Sequence, residues 1–182
     1  SRAEEVLKDV KRLVDENRRH SERVVEEVRK LVTENKRHSE RVVEEVRRLV
    51  EELERARRRG DIREEDLERV KREVEKLNRD NKDHSRKLKR RVDELNKRDK
   101  EHSDDLKRRV ERLLDELRKE SDDKDVRKVL KDIREVLERV EEDSERVNRE
   151  SKKVLDDVKK ESDEADDESR RVLEEVDRKA RK

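Results

Sequence analysis

The chain has 182 residues, of which 62% are Asp, Glu, Lys or Arg and 26% are hydrophobic, with a net charge of +1. Near neutrality excludes an overall attraction to nucleic acid or anionic lipid. The lack of cysteine excludes disulfides and thiolate metal sites, and no apolar run is long enough to span a bilayer. Such a charge fraction fits either disorder or long exposed helices, and the alphabet decides between them. Pro, Cys, Met, Trp, Tyr, Phe and Gln are absent and Gly occurs once. The remaining letters are mostly strong helix formers, with Val and Leu reserved for an inward stripe.

Punctuation divides the chain into three helices, expected at about 2–59, 62–120 and 123–181. Gly60 suits the left-handed residue that ends the first helix, and Asp61 with Glu64 three residues later has the spacing of a capping box for the second. Ser121, Asp122 and Asp123 offer N-caps for the third, and Ser1 with Glu4 repeats the logic at the start. Each helix would be about 85–90 Å long at its rise per residue. The turns near 60–61 and 121–122 are short, which predicts antiparallel neighbours. The expected fold is all-α: residues 1–182 form a single elongated, antiparallel three-helix bundle.

Every segment repeats with an offset of 18 residues. The stretch from Leu13 through Val25 recurs from Leu31 through Val43, Leu77, Leu95 and Leu113 mark the second helix, and Val140, Val158 and Val176 mark the third. Eighteen residues make five turns at 3.6 per turn, so this period keeps one face inward on a nearly straight helix, where a heptad would impose a left-handed supercoil.

The inward stripe is interrupted by polar residues that stay in register. Antiparallel neighbours about a turn near residue 61 have numbers summing to about 122, which pairs His20 with His102 and His38 with His84. The second turn pairs Asn96 with Asn148 and Asn78 with Asp166. Two polar layers follow. One holds Asn17, His20, Ser21, Asn96, Asp99, His102, Ser103, Ser144 and Asn148. The other holds Asn35, His38, Ser39, Asn78, Asn81, His84, Ser85, Ser162 and Asp166. A buried polar group without a partner costs a few kcal/mol, roughly, so each layer is expected to bond internally.

With the restricted alphabet, the straight-helix repeat and the Asn/His/Ser layers, the whole chain resembles de novo designed helical bundles with buried hydrogen-bond networks, a class with pH-responsive, histidine-containing members. The resemblance implies a structural scaffold whose layers set helix register. It also implies an alternative, an interaction component that self-associates or receives a partner helix. Protonation would break the bond each neutral imidazole accepts and place charge in the core, so acid should weaken the fold, with Asp99 opposing the effect in its layer.

Sharper chemistry is set aside on spacing. His20, His102 and Asp99 imitate a two-histidine, one-carboxylate metal site, but the other layer lacks the carboxylate, and no HxxxH pair occurs. Ser follows His at 21, 39, 85 and 103, yet adjacent helical positions point about 100° apart and make no nucleophile–base pair. Arg59-Gly60-Asp61 is explained by a helix stop followed by a cap. The basic runs lack aromatics to stack on bases. The expectation is a soluble monomer, cytoplasmic when expressed, with no catalytic residue, metal, cofactor, nucleic-acid or membrane partner.

Overall fold

The computed structural model describes residues 2–120 and 124–181, and it is a three-helix bundle: α1 (Arg2–Arg58), α2 (Glu64–Glu120) and α3 (Lys124–Ala180). The caps proposed at Ser1 and Ser121–Asp123 lie outside the described residues. α1 runs antiparallel to α2 and α2 to α3, as the cross-helix pairs below require. Among the described residues, no helix is long and apolar enough to cross a membrane.

The α1–α2 turn differs from expectation. Gly60 sits at φ 74°, Gly60 N–H donates to Arg57 C=O at 3.0 Å, and Asp61 N–H donates to Ala56 C=O at 2.9 Å. This is a Schellman close, with Gly60 as the left-handed residue and Asp61 one step beyond it. The Asp61 N–H therefore closes α1, and the N-cap position of α2 falls two residues further on, at Arg63. The first helical bonds of α2 go to Arg63 C=O, from Asp66 N–H and Leu67 N–H. The two residues between Asp61 and the first helical residue, Glu64, let Ile62 pack on the apolar cluster beneath. Basic residues (Arg55, Arg57, Arg58) crowd the last turn of α1 and acidic ones (Glu64, Glu65, Asp66) the first turn of α2, each matching its helix dipole.

The contacts fall into two compact units. The first comprises Ser1–Arg29 with Val92–Lys153, and the second Lys30–Arg91 with Val154–Lys182. In the first, Val6, Val10 and Val14 of α1 meet Leu106, Val110 and Leu114 of α2 and Ile133, Val136 and Val140 of α3. In the second, Val46, Val50 and Leu53 of α1 meet Val70 and Val74 of α2 and Val176 of α3. Burying each such side chain is worth about 1.5–3 kcal/mol, which lets valine-rich stripes hold helices together without an aromatic residue. Ion pairs repeat with the same 18-residue offset: Arg29 meets Glu150 at 3.0 Å within the first unit, and Arg47 meets Glu168 within the second.

Candidate functional site

Each unit carries one polar layer, and in each the α1–α2 seam is built the same way. A buried side chain on one helix accepts hydrogen bonds from a His-Ser pair on the other. In the first unit, Asn17 Oδ1 takes His102 Nδ1 at 2.7 Å and Ser103 Oγ at 3.4 Å. Reciprocally, Asp99 Oδ1 takes Ser21 Oγ at 2.8 Å and lies 3.5 Å from His20 Nδ1, outside hydrogen-bond geometry. In the second unit, Asn81 Oδ1 takes His38 Nδ1 at 2.9 Å and Ser39 Oγ at 3.3 Å. Asn35 Oδ1 takes Ser85 Oγ at 3.0 Å, while His84 Nδ1 has no partner.

The imidazoles stack in pairs. His20 and His102 have ring centroids 4.3 Å apart with planes 8° from parallel, and His38 and His84 are 4.0 Å apart at 5°. Face-to-face rings direct their nitrogen lone pairs side by side and do not converge them on one ion, as a tetrahedral metal would need. Among the described residues no group of three or more His, Asp or Glu is placed to hold a metal.

Histidine depth is a correction to the reading from sequence. Asn17 and Asn35 are fully buried, and Asn81 and Asp99 nearly so, but His20, His38 and His84 are half-buried and His102 is exposed. The core of each layer is amide, carboxylate and hydroxyl, and the imidazoles lie along its edge. Histidine occupies the flank of the stripe, one turn from the Asn or Asp that faces inward, so its ring folds over the seam.

Imidazole protonation is a second correction. Both bonded rings present Nδ1 to an amide oxygen, which makes Nδ1–H the donor. A second proton on Nε2 keeps that bond, so acid acts through charge and desolvation and not by breaking an accepted bond. His84 and His102 are both held below the ordinary histidine value, first by desolvation and then by the charge of the stacked partner ring. Asp99, Asp105 and Glu16 oppose the shift at His102, and Glu34 opposes it at His84.

α3 completes the layers unevenly. Ser144 Oγ bonds Ser103 Oγ at 3.0 Å, extending the chain that ends on Asn17. In the second unit Asn35 Nδ2 donates to Glu161 Oε2 at 3.2 Å and to Val158 C=O at 3.5 Å. Asn96 Nδ2 and Asn148 Oδ1 meet at 3.4 Å, but at the surface, so this pair is no part of the buried layer. Ser162 is buried. The expected pair Asn78 and Asp166 forms no bond: Asn78 Oδ1 and Asp166 Oδ1 are both buried without a partner. Asp166 turns its other oxygen to Arg170 at 3.3 Å.

Sequence reasoning missed four α3 residues. Glu161 is one; burial pushes its carboxyl up, against the pull of its Asn35 bond. Asp143, 18 residues earlier, is likewise raised by burial. Ser151 and Ser169 are buried; Ser169 Oγ bonds Ala165 C=O at 2.8 Å, and Ser151 Oγ has no partner. The 18-residue period linking 143 to 161 and 151 to 169 is the signal that pointed to them.

A scan against family models matches residues 2–103, more than half of the chain, to the invariant surface glycoprotein family. A search of curated proteins returns no match. Among solved structures the chain is similar to a computationally designed three helix bundle, with a TM-score of 0.54 and 20% sequence identity over 99% of this chain and 84% of that one.

Proposed function

We propose that this chain, which belongs to the invariant surface glycoprotein family by the match over residues 2–103, acts as a self-contained helical scaffold. In this reading its two buried polar layers select one helix register, and no catalytic or ligand-binding role is assigned. The reading rests on one observation. The buried acceptors Asn17, Asp99, Asn35 and Asn81 all find donors on the neighbouring helix of the same chain. A misaligned or exchanged helix would leave those groups unpaired, which is how polar layers specify an arrangement that apolar stripes alone leave degenerate.

The alphabet without aromatics and the 18-residue period support a designed origin, in keeping with the fold of the designed bundle. What the family's description says of surface location and glycosylation is not carried over. The matched segment is α1 with most of α2. None of the six asparagines is followed two residues later by Ser or Thr, the acceptor pattern for N-linked glycans. Acid-sensitive stability accompanies the scaffold role, through the stacked imidazoles.

Sedimentation equilibrium at two concentrations about a hundredfold apart tests the reading. One 22.3 kDa species at both supports a self-contained scaffold. A mass that rises with concentration assigns the chain to the alternative, an interaction component.

A further inference from the structure

We propose that the two units respond to acid in sequence, the second (Lys30–Arg91 with Val154–Lys182) losing its structure at a higher pH than the first, because only the first backs its histidine stack with a buried carboxylate. The proposal deepens the acid sensitivity proposed above and rests on it.

The two seams share stacked rings and Ser-bonded acceptors, and they differ in charge at one buried position. Position 99 holds Asp and its counterpart 18 residues earlier, position 81, holds Asn. Each stacks two imidazoles about 4 Å apart. A proton entering the first stack finds Asp99 Oδ1 3.5 Å from His20 Nδ1, with the carboxylate only 2% exposed. Opposite charges that close and that shielded attract, so the added charge is compensated in place. A proton entering the second stack meets Asn81, a neutral amide, at the position of that carboxylate.

The surroundings on each element agree. Around the second stack, α1 presents Glu34 and Arg41 and α2 presents Lys87, while the carboxylate on α3, Glu161, is engaged by Asn35. Around His84 itself α1 also places Arg37, Glu40 and Glu44, so acids and bases there balance with no carboxylate buried against the stack. Around the first stack, α1 presents Glu16 and α2 presents Asp99 and Asp105. On α3, Asp143 stands among Arg18, Arg146 and Glu22. Depressed proton affinity at His84 is offset by one carboxylate, and at His102 by three.

Amide hydrogen exchange followed by NMR on the full chain, stepped from about pH 7.5 to about pH 4.5, tests the order. Protection factors in residues 30–58, 64–91 and 154–180 should fall about tenfold or more before those in 2–29, 92–120 and 124–153. In Asp99→Asn, which keeps the shape of the side chain, the first unit should lose protection at the pH where the second does. Simultaneous loss in the unsubstituted chain, or a first unit unaffected by D99N, overturns the ordering alone. Full protection of both units down to the lowest pH overturns the acid-sensitivity reading with it.

Discussion

Asn35 Nδ2 donates to Glu161 Oε2 at 3.2 Å, and eighteen residues earlier the same two positions hold Asn17 and Asp143, where Asn17 Nδ2 is buried without a partner. Aspartate is one methylene shorter than glutamate. That shorter reach is the difference between these two pairs of positions.

Restoring that methylene should stabilise the first unit. Asp143→Glu is expected to raise the urea midpoint by an amount equivalent to about 1 kcal/mol, since it satisfies a donor already buried. The reverse change, Glu161→Asp, should cost about the same in the second unit. A D143E midpoint at or below that of the parent chain would count against the pairing.

Buried acceptors should matter far more than exposed ones. Asn81→Ala removes the oxygen serving His38 Nδ1 and Ser39 Oγ, and should cost about 2–4 kcal/mol. Asn96→Ala breaks a similar-looking amide pair with Asn148, but at the surface, and should stay within about 0.5 kcal/mol. Equal losses in the two variants, read from urea unfolding, would contradict the assignment of the layer to the Asn–His–Ser seam.

Stability should fall with acid on the histidine side of neutrality. His84 and His102 have folded values below the unfolded 6.5, so the unfolded chain binds more protons once pH drops through that value. Their contribution is complete above the unfolded value and is lost progressively as pH falls from there toward the folded values. Urea midpoints at about pH 7.5 and about pH 5 should differ, the lower pH giving the lower midpoint, and substituting Gln for both His38 and His84 should shrink the difference.

Gly60 offers a test of backbone conformation free of packing. Its φ is 74°, and a Cβ built there meets nothing within 4 Å. Gly60→Ala should cost about 1–2 kcal/mol through the left-handed conformation alone, and Gly60→Asn less. Circular-dichroism melts would show it as a lower midpoint with unchanged helix content.

Much of the architecture was legible because it is arithmetic. A 3.6-residue period, one glycine and a repeat of 18 place the helices, and the position of the turn pairs His20 with His102 and His38 with His84. The start of α2 was not legible, because Asp61 fits a cap as well as it fits the residue after a Schellman glycine, and only the first helical bonds, accepted by Arg63 C=O, decide. Histidine depth was hidden for a related reason: a flank position on a stripe is inward or outward according to how close the helices approach. Glu161 and Asp143 looked like any other charge on a solvated face, since nothing local distinguishes a carboxylate that reaches over the edge of a layer.

In the proposed reading the buried polar residues select one helix arrangement, and apolar side chains in their place would hold the helices together without selecting it. Spin labels at the exposed positions Arg18 on α1 and Arg108 on α2, read by pulsed EPR, measure it directly. The comparison is between the parent layer and one carrying Asn17→Leu, Ser21→Ala, Asp99→Leu and Ser103→Ala. A single narrow distance in the parent should become broad or multiple in the apolar layer, while the urea midpoint holds or rises. A distance distribution that stays single and narrow after the layer is made apolar would contradict the account.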